Sequence, residues 1–291
     1  MSDALLSLGL IQPRSVIPIG RLAVRSLHTE LLLSPKPGLV SPLDSGSHSD
    51  MDAGTFMRSM FALRSYFMDI ADAGASGAEF EALRRLGIAA EERMLRATGG
   101  VNTHRGAIFS LGLLAAAAAW LIQRGRCPRN ENIGRTVSRL WSAGIVAASP
   151  PPQQIDSHGL AARRNYGVGG ARQEAVLGFP TIWSVGLPAL REVLGRTGNK
   201  RMALIQTLFS LMASLDDTNV LHRGGRSGLS LVRTSAQKFL RAGGVYRRNW
   251  ETHALKIHCE VTRQGLSPGG SADLLAASWF VHQIQKTYSW A

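Results

Sequence analysis

Thr98-Gly99-Gly100-Val101-Asn102-Thr103-His104-Arg105-Gly106-Ala107-Ile108-Phe109-Ser110 runs straight into the apolar stretch that ends at Ile122, and the reading of this join decides the fold. Residues 107–122 are alanine-rich, carry Ser110 and Gly112, and fall short of the ~20 apolar residues that span a bilayer. They predict a helix buried on every side. A charged helical segment ends at Gly99-Gly100 just before it, with Asn102, Thr103, His104 and Arg105 in between. The pattern is that of a functional loop set against a core helix. Glycines let backbone amides approach a ligand, and the following helix offers free N–H groups and a positive dipole end to an anion. Asn102, His104 and Arg105 would complete a phosphate or ribose site. The plainer reading of the same residues is a glycine helix cap followed by a polar turn.

Outward from this join the chain keeps to a helical period. Apolar positions recur at helical spacing over residues 21–33, from Thr55 onward through Phe56, Met60, Phe61, Tyr66, Phe67 and Ile70, and over 78–97. The pattern returns through Val137, Leu140, Trp141, Ile145 and Val146, over 181–194, 201–215 and 230–241, after Trp250, and from Ser271 to Ile284. No stretch sustains period-two alternation and no Asn-Gly hairpin occurs. The expected fold is all-α, a single large multi-helix domain with functional loops at helix ends. Residues 1–19 are set apart as a loosely packed leader, and 20–291 form the helical domain. Ser149-Pro150-Pro151-Pro152 interrupts the pattern but is too short to establish a second domain. The apolar run 5–11 follows Asp3, is broken by Pro13 and Arg14, and lacks a small-residue cleavage site, so it does not read as a signal peptide.

The 291 residues are 45% hydrophobic, enough for a substantial core. Basic side chains outnumber acidic ones 33 to 20, and the formal charge of +13 points to polyanionic partners. Aromatics are only 7% and the basic residues are dispersed, which argues against a single-strand nucleic-acid binder and favours small phosphorylated ligands. Cys127 and Cys259 have no metal-ligand spacing and fit a reduced, cytoplasmic setting with no membrane partner.

Other loops carry polar groups with chemical potential. Pro35 and Pro37 bracket Lys36 and present it on a stiff turn. Residues 39–54 hold Asp44, Ser45, His48, Asp50 and Asp52, oxygen ligands suited to Mg²⁺, although Asp52 also fits a simple helix N-cap. Asp216-Asp217-Thr218-Asn219 reads as the C-terminal end of a helix, where carboxylates oppose the dipole and call for a metal or ligand cation. Asp50, Asp216 and Asp217 are therefore the candidate metal ligands. Arg223-Gly224-Gly225-Arg226 reads as a glycine-cradled basic turn. Gly269-Gly270-Ser271 opens the last helix as an anion cradle; Ser271 as N-cap with Asp273 complementing the dipole is equally compatible. Gly167-x-Gly169 lacks a preceding strand and does not make a dinucleotide fold.

Taken together these blocks resemble the triphosphoribosyl-dephospho-CoA synthase family. The matching segments, in the family's order, are Glu30 with Ser34-Pro35-Lys36-Pro37-Gly38-Leu39-Val40; Gly46-Ser47-His48-Ser49-Asp50-Met51; Glu91 with Gly100 to Phe109; Gly170-Ala171-Arg172 with Glu174-Ala175 and Gly178-Phe179-Pro180; Asp216 to Asn219 with Arg223-Gly224-Gly225; and Ser267 to Leu275. Arg105 departs from the family's usual Lys, which keeps the charge but changes a point cation to a planar fork. The resemblance implies that the 2′-hydroxyl of 3′-dephospho-CoA attacks C1′ of the ATP ribose, adenine leaves and the triphosphate is retained. It implies Glu30, Glu91 and Glu174 as catalytic carboxylates. Lys36, His48, Asn102, His104, Arg105, Arg172, Asn219, Arg223, Gly269, Gly270 and Ser271 are implied to bind substrate, with Mg²⁺ bridging the triphosphate to the candidate metal ligands. The product is expected to pass to a transferase acting on an acyl carrier subunit, with the malonate decarboxylase branch favoured over citrate lyase and a homodimer left open. Two other readings stand beside it: a nucleotide glycohydrolase using water in place of the 2′-hydroxyl, and a basic helical protein that binds nucleic acid or a carrier protein without chemistry.

Overall fold

Ala115 to Ala119 are five successive alanines, and none of them is exposed. Successive helical positions rotate by about 100°, so five in a row face every side, and all sides are approached by other helices. The computed structural model describes residues 17–129, 131–148 and 166–288. Among these the helices are α1 (Ile17–Leu31), α2 (Ala53–Ala62), α3 (Arg64–Ala75), α4 (Phe80–Thr98), α5 (Arg105–Gln123), α6 (Asn132–Ala147), α7 (Gly170–Val176), α8 (Leu187–Thr197), α9 (Lys200–Ser214), α10 (Thr218–Arg241), α11 (Trp250–Arg263) and α12 (Gly269–Thr287). A π-helical turn, Ile182–Gly186, leads into α8, and no strand occurs among the described residues.

The alanine-rich helix is α5, and α1, α3, α4, α6, α7 and α12 pack around it. Its crossing with α3 is close because glycine stands at both contact points. A Cβ on Gly74 would overlap the backbone of Ala116, and one on Gly112 would overlap the Tyr66 hydroxyl. The Tyr66 hydroxyl donates to the carbonyl oxygen of Ile108 at 2.7 Å, satisfying the one polar atom of a buried ring. On another side α12 buries Leu274, Leu275, Ala277, Phe280, Val281 and Ile284. That helix also touches α8, α9 and α10, whose own contact includes Phe209 stacked on Phe239 with centroids 3.9 Å apart. The pair α5 and α12 thus joins the two halves of the molecule. By length and apolarity α5 could cross a membrane, but its residues are mostly buried within the fold.

Several boundaries differ from the sequence reading. Helix α1 begins at Ile17, inside the segment set apart as a leader, because Pro18 is harmless in a first turn that needs no N–H and Ile19 is fully buried. Residues 1–16, and the proline run at 149–152, lie outside the described residues. Helix α10 begins at Thr218 and runs through Arg223-Gly224-Gly225-Arg226, so this segment is a kinked helix and not a turn. Only Gly225 leaves helical geometry, at φ 58° and ψ −156°. The neighbouring Gly224 and Gly228 face the Leu266 side chain closely, so the glycines serve packing. Asp217 lies at the start of this helix and not at the end of the one before, so its charge agrees with the helix dipole.

Candidate active site

The N-termini of α10 and α12 are tied by one side chain. Asp217, 2% exposed, accepts hydrogen bonds from the Asn219 N–H at 3.0 Å, the Ser271 N–H at 2.8 Å and the Ser271 hydroxyl at 3.0 Å. Burial raises its carboxyl above the usual range, while bonds from Ser271, Asn219 and Gly270 pull the other way. Gly270 packs closely against this carboxylate, and a Cβ on Gly269 would overlap the Asn219 amide.

One half-turn on, Asp273 faces the start of α5. A Cβ on Gly106 would overlap Oδ2 of Asp273, so the carboxylate rests on the bare backbone of the first turn of α5. No hydrogen bond or cation reaches it among the described residues, and it keeps partial exposure. Burial, and then the charges of Glu30 and Asp217, hold it well above the usual carboxylate range. Three carboxylates therefore gather where α5 and α12 begin. Asp273 was assigned only a dipole role from sequence; the signal that marked it was Gly106, a glycine opening an otherwise alanine-rich helix.

Glu30 is matched by the one cation in this group. Lys36 is buried at 2% exposure, and its ammonium donates to Glu30 Oε1 at 2.6 Å and to the Glu30 carbonyl at 2.8 Å. Its prolines hold it inward, so the lysine expected to project from a stiff turn belongs to the interior. Burial lowers its pKa, and Glu30 and then Asp44 oppose that shift. His258 braces the loop from behind, with Nδ1 2.8 Å from the Lys36 carbonyl oxygen and Nε2 3.2 Å from Asp44.

At the cap of α5 stands His104, 4% exposed, with Phe56 edge-on at 4.8 Å between ring centroids. Its Nδ1 lies 2.6 Å from the Ser59 hydroxyl and 3.1 Å from that of Thr103. Thr103 donates to Ser59 at 2.7 Å, and fully buried Ser59 then has Nδ1 as its own acceptor, which assigns the ring proton to Nε2. That Nε2 is buried without a partner among the described residues. Burial, and secondarily Lys36, lower the His104 pKa to about 3, so the ring is a neutral donor. Ser59 was not singled out from sequence, since a serine inside an amphipathic helix carries no signal of its own.

Beside it, Arg105 pairs with Glu91 at 2.9 Å, each about one-third exposed. Burial raises the Glu91 pKa, outweighing the opposing pull of Arg105 and then Arg172. Asn102 caps the turn, its oxygen accepting from the Arg105 N–H at 3.2 Å. Gly99 and Gly100 end α4 at φ 67° and 91°, with the Gly100 N–H on the Leu95 carbonyl at 2.8 Å, so this pair forms the helix cap.

The remaining candidates lie apart from this group. Arg223 donates to the Ser47 and Gly265 carbonyls, each at 3.1 Å, and to His48 Nδ1 at 3.1 Å; His48 Nε2 then donates to the Ser267 hydroxyl at 2.9 Å. These two residues clasp the loops before α2 and α12. Burial and then Arg223 lower the His48 pKa, with Asp50, mostly exposed, 3.6 Å away. Glu174 accepts from the Thr181 hydroxyl at 2.6 Å and its N–H at 3.3 Å, holding the approach to the π-helical turn. Asp216 pairs with Arg233 at 2.8 Å, and Asp52 caps α2 through reciprocal bonds with Thr55. The structure thus does not bring Asp50, Asp216 and Asp217 to one place. Among the described residues no three His, Cys, Asp or Glu side chains are grouped to hold a metal ion. A surface depression of about 500 Å³ lined by Leu121, Arg126, Cys127, Asn132, Arg135, Thr136 and Arg139 lies at the far end of α5 and holds none of these groups.

Comparison with known proteins concerns the chain as a whole. Residues 18–291 match the model of the ATP:dephospho-CoA triphosphoribosyl transferase family. A protein of Klebsiella pneumoniae named 2-(5''-triphosphoribosyl)-3'-dephosphocoenzyme-A synthase is 39% identical over 292 residues, covering 97% of this chain and 96% of its own. Its namesake in Escherichia fergusonii is 38% identical over 281 residues, 94% of this chain and 93% of the other. A protein of Acinetobacter calcoaceticus with the name "Probable 2-(5''-triphosphoribosyl)-3'-dephosphocoenzyme-A synthase" is 38% identical over 267 residues, 92% and 91% of the two chains. No solved structure matches.

Proposed function

The chain belongs to the ATP:dephospho-CoA triphosphoribosyl transferase family, and we propose that it transfers the triphosphoribosyl group of ATP to the ribose 2′-hydroxyl of 3′-dephospho-CoA with release of adenine. The observation that carries this reading is the meeting of the α5 and α12 N-termini at partly accessible Asp273, beside the buried Lys36–Glu30 pair. Glycosyl transfer needs carboxyl groups around a carbon that gathers positive charge, and donors around a triphosphate that stays intact.

The roles follow from what each side chain has free. Glu30 is held by Lys36 and Glu174 by Thr181. Glu91 is half-buried, inclined to accept a proton, and bound on one side by Arg105, so it is the base for the incoming hydroxyl. Arg105, the Nε2–H of His104 and the amides of the α5 first turn are the donors for phosphate oxygens, whereas the Gly269 and Gly270 amides are already taken by the Ser267 carbonyl and by Asp217. Arg172 and Asn219, which adjoin Glu91 and Gly269, extend this surface. His48 and Arg223 support it by fixing the loops behind. No step is assigned to Mg²⁺, since Asp50, Asp216 and Asp217 do not share a site. The product is the precursor of a prosthetic group that a second transferase attaches to an acyl carrier subunit, as in malonate decarboxylase or citrate lyase.

Chromatography of an incubation with ATP, followed by addition of dephospho-CoA, tests this. Adenine released only after the second addition supports transfer. Adenine from ATP alone means a glycohydrolase, and none in either stage means a binding protein.

A further inference from the structure

Resting on the transfer reading above, we propose that Asp273 is the proton donor to the departing adenine. The charges of Glu30 and Asp217 both bear on Asp273 in a buried setting where, among the described residues, the Lys36 ammonium is bonded to Glu30. Such a group retains an excess of negative charge unless one member carries a proton. Glu30 is matched by Lys36 at 2.6 Å, and Asp217 by three donors within 3.0 Å. Among the described residues Asp273 has neither a cation nor a hydrogen bond, so the proton resides there; its elevated affinity for a proton agrees.

Its position suits the task. Asp273 keeps partial exposure, and Gly106 is bare where the carboxyl lies, at the head of α5. Two residues before Gly106 the buried Nε2 of His104 has no partner among the described residues, a second group at the same helix end that awaits a ligand. Glu91 is bonded to Arg105, the residue next to Gly106, and so belongs to the same helix end. The helix end thus carries two carboxyl groups of different character, one without a partner and one paired with arginine, as the acid and base roles of glycosyl transfer require.

The step balances. The C1′–N9 bond breaks with its electron pair going to adenine, and the Asp273 proton moves to a ring nitrogen of the base, so that neutral adenine leaves. The 2′-oxygen of dephospho-CoA bonds to C1′ and yields its proton to Glu91. That proton returns through solvent to Asp273, and no other co-reactant is consumed.

The test compares ATP with ATP methylated at N7, whose base departs as neutral 7-methyladenine without needing a proton. Asp273→Asn, checked for native fold by circular dichroism, is expected to lose roughly 10²–10⁴-fold in kcat with ATP and less than about tenfold with the methylated donor. Independently of any variant, the wild-type rate with ATP should fall at high pH as Asp273 ionises, and the methylated donor should lack that limb. Equal losses with both donors, an identical high-pH limb for both, or a variant whose defect is repaired by raising Mg²⁺ overturns the proposal. Wild-type protein that releases no adenine with ATP and dephospho-CoA removes the underlying transfer reading, and Asp273 with it; wild-type turnover with any of the three results above removes Asp273 alone.

Discussion

Ser271 gives both its backbone N–H and its hydroxyl to a single oxygen of Asp217, at 2.8 and 3.0 Å, across 54 positions of sequence. This contact fixes the start of α12 against the start of α10, and the surface proposed to hold the triphosphate depends on it. Asp217→Asn places an amide where a buried acceptor is required, and is expected to cost about 1–3 kcal/mol, with turnover falling alongside. Ser271→Ala should cost about 1 kcal/mol, and the double variant less than the sum of the two. Urea unfolding of the four proteins measures the coupling; strict additivity would show that the bond does not link the helices.

Lys36 and Glu30 form a buried ion pair, for which removing one partner is worse than removing both. Lys36→Met leaves a carboxylate uncompensated at 8% side-chain exposure, and should destabilise the protein by about 3–5 kcal/mol. Lys36→Met combined with Glu30→Gln should recover much of that loss. Thermal melts of the single and double variants decide the matter, and a double variant less stable than Lys36→Met would contradict the pairing.

Gly106 is a case where two effects compete. Alanine in a helix normally gains up to about 1 kcal/mol over glycine. Here its methyl would fall on the Asp273 carboxylate, and the overlap, about 1–3 kcal/mol, wins. Gly106→Ala should therefore lower both stability and turnover, and adding Asp273→Ala should restore stability without restoring turnover. Unchanged activity in Gly106→Ala would mean that the two groups do not meet in solution.

His104 makes stability depend on pH. Its pKa is about 3 in the fold, against an ordinary 6.5, so the unfolded chain takes up a proton that the folded one refuses. The contribution is complete above the ordinary value and declines as pH falls toward 3. Between pH 7 and pH 5 the expected loss from this residue is about 2 kcal/mol. Other histidines with lowered values, His48, His253 and His282, act in the same direction, so wild type is compared with His104→Gln. The variant should show a shallower decline of unfolding free energy over that range; identical slopes would place His104 in contact with water.

The all-helical class was legible because apolar spacing is a local property, and five alanines can be buried together only in a helix enclosed on all sides. Family motifs carried Glu30, Lys36, His104, Asp217 and Ser271 into the candidate list, and these do converge. What the sequence could not supply was direction. Lys36 turns inward to Glu30, Asp216 turns outward to Arg233, and adjacent carboxylates read as one metal site belong to different surroundings. Asp217 was placed at the wrong helix end because a glycine-rich segment was read as a turn, when close packing on Leu266 had selected those glycines. Asp273 reads from sequence only as a complement to the dipole, the usual role of a carboxylate near a helix start, and the contact with Gly106 distinguishes it.

The most direct measurement of the proposed chemistry is the mass of the nucleotide formed from ATP labelled with ³²P at the γ-phosphate and unlabelled dephospho-CoA. Triphosphoribosyl transfer predicts one adduct that retains the label, equal in amount to the free adenine, with no ADP. Label appearing in inorganic phosphate with ADP, or in free ribose triphosphate without an adduct, would contradict it.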